Sequence, residues 1–358
     1  MKAFRLLRPL AAIVPLSHPA LPAAAAPAKT VQVAVAGYAG SSTLANFPVP
    51  VKISEAAVPG FRYADCAAGG ADLSFADAAG SALPFEVDTW DASGTSVVWV
   101  LLPSVAPGGA TTFTMGWSDL SPAGADAAAV WTGSGHKGVW HMNSASPADA
   151  SGSGNGGTAV GSATTAAGPI GSALSLPTAA DYVTCGKSQS NAELKDAFTV
   201  EAWVNPASYS GKRAFFGKDA FISIRTGSQT QITVTTPGRQ DHNLTVATLP
   251  AAGAWWHVAL TFQKGVADGC KVYVNGALAA QMNAGDINDQ TGSTEMWLGR
   301  NQFSESFQGL LDEIRLGAGI RSADWIAAEY ASVAEPGFLA FGTPGESTTI
   351  LFYGPDLP

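Results

Sequence analysis

The feature that most constrains this chain is a series of short segments in its second half, in which apolar and polar residues alternate. The clearest four segments are Phe198–Val204, Trp255–Phe262, Lys271–Leu278 and Phe307–Leu316. Alternation with a period of two is typical of a β-strand with one buried face. Asn275-Gly276 supplies the positive φ angles that a tight hairpin needs. Short strands separated by turns predict an all-β sandwich or jelly roll.

The order of these segments resembles a known family. The motifs are FTVEAWVNP, WWHVALTF, KVYVNGALAA, MWLGRN, FQGLLDEIRL and RSADWIAAEY, preceded by GVWHMN and DASGSGNGGTAVG. Together, over residues 138 to 330, they resemble the laminin-G-like jelly roll of the concanavalin A-like lectin/glucanase superfamily. The resemblance implies a fold more firmly than a function, because one fold hosts many activities.

A second series of predicted strands comes earlier in the chain. These strands are Thr30–Val35, Val49–Ile53, Asp72–Phe75, Leu83–Trp90, Val97–Leu102 and Thr111–Trp117. Each is bounded by Gly, Pro, Asp or Ser, which predicts a second β-sandwich. Residues 46–119 resemble a domain of unknown function of bacterial exported proteins that commonly precedes a laminin-G-like jelly roll. That resemblance implies an extracytoplasmic β-domain without an established chemistry.

These observations predict the organisation of the chain. The expected parts are a signal peptide (1–28), an N-terminal β-sandwich (29–120), a linker (121–137), a laminin-G-like jelly roll (138–332) and a C-terminal tail (333–358). Near the end of the jelly roll, Ser322–Ala331 is predicted to form a helix, since Ser322 can cap it and apolar residues recur at helical spacing.

The first 28 residues are typical of a secretory signal. Lys2, Arg5 and Arg8 precede an apolar run that ends in small residues. This run is too short to span a membrane, so the mature chain is expected to lack a transmembrane segment. We expect the protein to be exported and to reside at the cell surface, outside the cell or in the periplasm. Its formal net charge of −9 argues against nucleic acid or an anionic membrane as a partner.

The cysteine count leaves two alternatives open. Cys66, Cys185 and Cys270 allow at most one disulfide. Cys185 and Cys270 fall in predicted strands and could pair if those strands are neighbours. The alternative is buried free thiols that behave as small apolar residues.

Glycoside hydrolysis is the first activity to consider, because glucanases share the fold of the resembling superfamily. Their signature, Glu-x-Asp-x-x-Glu along one strand, places two carboxylates side by side over the sugar. The sequence contains no such motif. Asp312 and Glu313 are adjacent, so on a regular strand they point to opposite faces. We therefore expect the protein not to be an enzyme.

Calcium is the cofactor that the sequence predicts. Hard cations prefer several oxygen ligands on loops, and the loop Asp149–Gly157 supplies Asp149 and Asn155 between glycines. In the resembling family a calcium ion often sits on one rim, which implies Asp312 and Glu313 as further ligands. The alternative is that the loop residues satisfy turn backbone groups and that the two acids stabilise the fold.

Carbohydrate binding requires exposed rings beside acid or amide side chains, since a sugar stacks its apolar face and hydrogen-bonds through its hydroxyls. Loop residues that fit this pattern are Tyr209, Arg239, Asp241, His242, Asn243, Arg300, Asn301 and Phe303. Trp297 is expected in the core, together with Trp203 and Trp256. His141 and His257 are expected to be hydrogen-bonded structural histidines.

The leading hypothesis is a non-catalytic exported protein that recognises a glycan, or an extracellular or envelope protein, through loops at one rim of the jelly roll. The alternative is a structural or adhesive module that assembles a larger envelope complex. A glycoside hydrolase is the third possibility.

Overall fold

The computed structural model describes residues 29–118, 124–187, 196–218, 222–236, 240–284 and 295–346, so the predicted signal peptide and Arg239 lie outside the described residues. The predicted all-β fold class is confirmed. None of the helices in the described residues has the length and apolar composition needed to cross a membrane.

The described residues form strands, two α-helices and three single-turn 3-10 helices. The strands are β1 (Lys29–Val35), β2 (Leu44–Ile53), β3 (Ser74–Asp77), β4 (Phe85–Thr89), β5 (Ser96–Val105), β6 (Thr112–Trp117), β7 (His136–Trp140), β8 (Thr158–Val160), β9 (Thr164–Ala167), β10 (Ser172–Leu176), β11 (Tyr182–Thr184), β12 (Ala197–Pro206), β13 (Arg213–Lys218), β14 (Ile222–Ser228), β15 (Gln231–Thr236), β16 (Gln240–Thr245), β17 (Trp256–Gln263), β18 (Cys270–Val274), β19 (Ala277–Met282), β20 (Met296–Leu298), β21 (Gly309–Ala318) and β22 (Leu339–Glu346). The helices are α1 (Ala127–Gly133), α2 (Ala323–Ala334) and the 3-10 turns Tyr63–Asp65, Ala68–Gly70 and Pro107–Gly109.

The first sandwich consists of a four-stranded sheet, in the order β22–β1–β6–β3, and a three-stranded sheet, β2–β5–β4. Alternation along the strands sends one face of each sheet into a shared apolar core. Val31, Val33 and Val35 of β1 face Phe47 and Val49 of β2 in that core.

The last strand of the described chain returns to this first sandwich. β22 pairs antiparallel with β1, with Lys29 opposite Glu346 and Val35 opposite Leu339. Phe338, just before β22, is buried in the same core. The predicted C-terminal tail thus contributes a strand to this sheet. The predicted domain boundaries stay a prediction, although the tail supplies an edge strand of the first sheet.

The second sandwich pairs an eight-stranded sheet with a seven-stranded sheet. The first runs β19–β18–β17–β12–β21–β10–β9 with β7 also paired to β21, and the second runs β16–β15–β14–β13–β20–β11–β8. The hairpin predicted at Asn275-Gly276 is confirmed, because both residues have positive φ angles (48° and 78°) and join β18 to β19.

The two sandwiches meet through outer sheet faces. On β5, Val98 and Val100 enter the first core, so Val97 and Trp99 point outward, where they pack with Trp203 on the outer face of the eight-stranded sheet. Helix α2 fills the rest of the junction. Ser322 caps it by accepting the Trp325 N–H, as the sequence predicted, and the Trp325 ring packs edge-on against Phe47.

The three cysteines are unpaired. Cys185 follows β11 in the seven-stranded sheet, whereas Cys270 lies on β18 of the eight-stranded sheet. Burial raises the pKa of both thiols, so they behave as small apolar groups of the core.

Removal of β22 tests whether the tail belongs to the first sandwich. A chain that ends at residue 337 loses Phe338 and one of the two strands that pair with β1, which exposes apolar core and an open sheet edge. We expect its thermal midpoint to fall by at least about 5 °C in a calorimetric melt. A chain that ends at residue 346 keeps the strand and is the matched control. Equal midpoints for the two truncations would contradict the role of β22.

Candidate functional site

A cluster of polar side chains lies on the face of the seven-stranded sheet that points away from the core. Ile222 and Ile224 of β14 join the core, so alternation places Ser223 and Arg225 on the opposite face. The same alternation, continued into the neighbouring strands, places four further polar residues on this face: Thr233, Thr235, Asp241 and Asn243.

Arg225 is the centre of this arrangement. Its fully buried guanidinium forms ion pairs with Asp241 and with Glu305, whose Oε2 lies 3.1 Å from Arg225 Nε. Lys212 Nζ lies 2.8 Å from Asp241 Oδ2 and 3.7 Å from Glu305 Oε1. We call these four residues the sheet-face cluster. The side chains of Asp241 and Glu305 are 33% and 22% exposed, so a buried cation orients two carboxylates that solvent reaches.

Asp241 is held in its charged form. Partial burial raises its pKa, but hydrogen bonds from Lys212, Arg225 and Thr235 outweigh this effect and lower the pKa to about 2. Thr235 Oγ1 donates to Asp241 Oδ1 at 2.9 Å. The carboxylate is therefore a permanent acceptor at neutral pH.

The loop after β20 crosses the same face. Asn301 is fully buried; its Nδ2 donates to Glu305 Oε2 at 2.7 Å and to Ser223 Oγ at 3.1 Å. Its Oδ1 accepts the backbone N–H groups of Phe303 and Glu305. The approach requires Gly217, because a Cβ at that position would lie 2.5 Å from the Arg300 carbonyl oxygen.

Aromatic rings flank the cluster. Phe303, on the loop that Asn301 holds, is 47% exposed, and the Arg300 guanidinium lies 4.6 Å from the centre of the Tyr182 ring. Trp297 is half-buried and lies opposite Gly217 on this face. The expectation that Trp297 belongs to the core is wrong, because Met296 and Leu298 point inward. Alternation in Met296-Trp297-Leu298 was the signal that could have placed it.

The structure brings together several of the eight residues predicted to bind a ligand. Those that meet on this face or its loop are Asp241, Asn243, Arg300, Asn301 and Phe303. His242 alternates to the other face of β16, which is a strand rather than the predicted turn. Tyr209 lies elsewhere, with its hydroxyl donating to the Pro250 carbonyl. A binding role for these residues stays a prediction.

A second polar cluster is buried between the sandwiches, and we call it the interdomain network. His141 Nε2 lies 3.2 Å from Glu86 Oε2 of the first sandwich, and His141 Nδ1 lies 2.8 Å from Glu313 Oε1 of the second. Arg315 donates to Glu313 at 2.7 Å and to Glu329 of α2 at 3.3 Å. Both sandwiches and the helix are thus joined by charged groups.

The rings around this network also contribute. The Arg315 guanidinium lies 4.2 Å from the Trp99 ring centre and 4.9 Å from that of Trp131, and Trp131 Nε1 donates to Glu86. Trp131, in the predicted linker, therefore docks on both sandwiches. His141 is a hydrogen-bonded structural histidine, as expected. Burial lowers its pKa, but Glu313, Asp88 and Glu86 outweigh this effect and raise the pKa well above the usual value.

A β-bulge places both Asp312 and Glu313 in this junction. The pairing passes from Glu201 opposite Arg315 to Trp203 opposite Asp312, so two residues of β21 face one residue of β12. Glu313 has a positive φ of 47°. The expectation that these acids point to opposite faces is wrong, since Leu311 and Ile314 both enter the core and the two acids between them point outward.

The residues predicted to bind calcium divide into two separate groups. Asp149 Oδ1 accepts from the backbone of Val139 and from the N–H and hydroxyl of Ser151, and its Oδ2 accepts from the Asn155 N–H at 2.9 Å. Both oxygens are thus engaged with turn donors, which does not fit an open calcium site. Among the described acids and histidines, Glu313 groups with Asp88 and His141 and not with Asp149. Calcium binding stays a prediction.

Sequence reasoning missed most of the interdomain network. The sequence analysis singled out neither Glu86 nor Arg315, and no local pattern pairs them. One signal was available. Glu86 and Asp88 share one face of β4, and the neighbouring strand β5 is an apolar run, which indicates that this charged face of the sheet is covered.

Substitution of Glu86 by Gln tests the link between the sandwiches. The change removes the carboxylate that faces the charged His141 and accepts from Trp131. A buried charge that loses a partner costs free energy, so we expect the free energy of unfolding in urea to fall by about 2 kcal/mol. Glu335→Gln removes an exposed acid and is the matched control, with an expected change within about 0.5 kcal/mol. Equal effects of both changes would argue against the link.

The pH dependence of stability tests the charge on His141. Because its folded pKa is raised above the unfolded value of about 6.5, its ion pairs contribute fully below that pH and lose their contribution as pH rises toward the folded pKa. The stability difference between the native protein and His141→Asn should therefore shrink between pH 6 and pH 9. A difference that grows with pH would show that this histidine is neutral.

Several solved structures are similar to parts of this chain. Domain 4 of AbnA, a GH43 extracellular arabinanase from Geobacillus stearothermophilus in complex with arabinotriose, aligns with a TM-score of 0.46 and 20% identity, over 55% of this chain and 98% of that one. The botulinum neurotoxin serotype C1 binding domain aligns with a TM-score of 0.44 and 10% identity, over 56% of this chain and 52% of that one. The native heptameric SAP-like pentraxin from Limulus polyphemus aligns with a TM-score of 0.33 and 16% identity, over 38% of this chain and 71% of that one.

These likenesses concern the fold alone, and the chain spans only about half the length of the toxin domain. A search of curated proteins found no match. The family comparison is more specific, because it matches a continuous region of the sequence. Residues 177–327 match the model described as the Concanavalin A-like lectin/glucanases superfamily, which confirms the predicted laminin-G-like jelly roll over those residues.

Proposed function

We propose that this protein is an exported, non-catalytic recognition protein that binds a glycan on the outer face and rim of its seven-stranded sheet. The observation that supports this proposal most is the fully buried Arg225, which orients Asp241 and Glu305 toward solvent. A buried arginine is costly unless paired, and its pairing here fixes two acceptors in advance of any ligand.

The chemistry of the surface suits a sugar. Each hydroxyl of a sugar donates one hydrogen bond and accepts others, and its ring carbons form an apolar face. Asp241 and Glu305 supply acceptors, Lys212 and Arg300 supply donors, and Phe303 offers an exposed ring for stacking. Because Asn301 and Arg225 already order these groups, little conformational entropy is lost on binding.

The protonation state of Asp241 suits a hydrogen-bond acceptor and not a catalytic acid. A glycoside hydrolase needs one carboxyl group that is protonated near neutral pH, so that it can donate to the leaving oxygen. The pKa of Asp241 is lowered to about 2, the opposite of that requirement. Asp312 and Glu313, the adjacent acids, are buried under the first sandwich, where a polysaccharide has no access.

A structural role is the second candidate. The interdomain network and α2 join the two sandwiches through buried charges and rings. Such a junction suits a module that transmits a fixed orientation between partners in an envelope complex.

Glycan binding by the full-length protein is the direct test, first on a glycan array and then by calorimetry with the strongest ligand. Asp241→Asn keeps the size of the side chain but removes the charged acceptor, and Phe303→Ala removes the ring. We expect each to weaken binding at least about tenfold, equivalent to about 1.4 kcal/mol.

Tyr209→Phe removes a hydroxyl that bonds only within the sandwich and should leave the affinity unchanged. Binding that survives both Asp241→Asn and Phe303→Ala would place the glycan elsewhere on the molecule. The absence of any glycan ligand would favour the structural role, which a pull-down with envelope proteins then tests.

A further inference from the structure

Three buried side chains beneath α2 form a cluster of nitrogen and oxygen atoms. His136 of β7, Glu201 of β12 and Glu329 of α2 each offer one ligand atom, and these atoms all lie within 4.8 Å of one another. The residues are 1%, 4% and 4% exposed. Since they come from three packed elements, the fold itself brings them together.

The tautomer of His136 follows from its neighbours. Ser134 Oγ lies 2.8 Å from His136 Nδ1, and 2.9 Å and 3.1 Å from the carbonyl oxygens of Val130 and Trp131. A hydroxyl has one hydrogen, which it donates to these carbonyls, so Ser134 accepts the Nδ1–H of the ring. Nε2 of His136 therefore carries a lone pair, and it has no hydrogen-bond partner.

Glu329 also has a buried atom without a hydrogen-bond partner. Its Oε1 accepts from Arg315 at 3.3 Å, whereas its buried Oε2 accepts from none of the protein's donor groups. Burial and the contact with Glu201 raise the pKa of Glu329 well above its usual value, so without a metal ion the two carboxyl groups share a proton. Lone pairs of an imidazole and of carboxylates that converge in a buried space repel one another, and buried acceptors without donors cost free energy. A cation between them satisfies all three groups at once.

The charges nearby also leave room for a cation. Six carboxyl groups gather in the junction, at Glu86, Asp88, Glu201, Asp312, Glu313 and Glu329. Facing them are the two guanidinium groups of Arg315 and Arg321 and the imidazole of His141. The carboxyl groups outnumber the cationic groups, and burial with the neighbouring acids raises the pKa of Asp312 and of Glu329 well above the usual value. A cation bound at Glu329 would therefore replace a proton.

We propose that His136, Glu201 and Glu329 bind a divalent transition-metal ion of the zinc class. Imidazole nitrogen and carboxylate oxygen are ligands that Zn²⁺ prefers, and the contact from Ser134 fixes the ring as such sites require. His257 Nε2, 3.5 Å from Glu201 Oε2, is a further nitrogen beside the site. The ion ties α2 to the eight-stranded sheet and so stabilises the junction of the sandwiches.

The neighbouring trio of Asp88, His141 and Glu313 is a poorer site, although its atoms are equally close. Both nitrogens of His141 already face carboxylates, at 2.8 Å and 3.2 Å. A histidine that donates from both nitrogens has no lone pair for a metal.

Metal content of the full-length protein is the first measurement. The protein is prepared without a metal-affinity tag, unfolded with chelator and refolded with Zn²⁺ or with chelator alone, since the buried site fills during folding. We expect about one zinc per chain by elemental analysis and a higher thermal midpoint for the zinc-refolded sample. A chain that refolds fully and holds no zinc would overturn the proposal, and a shared proton or a buried water would then satisfy these atoms.

Variants and a spectroscopic probe identify the ligands. Glu329→Gln and His136→Asn should each lower zinc retention at least about tenfold, whereas Glu86→Gln, in the same junction but outside the trio, should retain zinc. Zinc retained by both ligand variants would also overturn the assignment. Should neither variant fold, refolding the native chain with Co²⁺ decides: visible bands of a four- or five-coordinate ion support the site, and the spectrum of hydrated Co²⁺ refutes it.

Discussion

The structure depends on covering the outer face of the eight-stranded sheet. That face carries Glu201, Glu313 and Arg315, which a free jelly roll would leave in water, and here the first sandwich and α2 bury them. Arg315 is the central residue of the junction, because it pairs with acids from β21 and α2 and lies over Trp99 and Trp131. A buried guanidinium without those partners would cost several kcal/mol, so the two sandwiches and the helix hold one another in place.

The two outer faces of the second sandwich therefore have different roles. One is covered by the first sandwich, and there Arg315 and His141 pair with buried carboxylates. The other carries Arg225 beneath Asp241 and Glu305, with part of each carboxylate in solvent. Both faces thus carry a buried guanidinium between carboxylates. On the covered face it belongs to the junction, and on the other face it orients carboxylates that solvent reaches. This contrast is the reason for proposing recognition on the seven-stranded sheet.

The sequence predicted what depends on local pattern. Alternation predicted the strands, Asn275-Gly276 predicted a hairpin, and Ser322 predicted the start of α2. Each of these signals depends on only a few neighbouring residues. Contacts between residues far apart in the sequence could not be predicted. His141 and Glu313, for example, are 172 positions apart. The bulge at Glu313 was hidden as well, since glutamate, unlike glycine or asparagine, has no preference for a positive φ. Without the bulge, the orientation of Asp312 could not be inferred.

The pairing of Lys29 with Glu346 also affects the order in which the two sandwiches can fold during synthesis. The jelly roll lies in the chain between β6 and β22, so the first sandwich lacks an edge strand until the ribosome has made the last described residues. The jelly roll has all its strands earlier and can fold first, because its own pairings need nothing from β22. Lys29 and Glu346, the first and last described residues, therefore lie side by side on adjacent strands of one sheet.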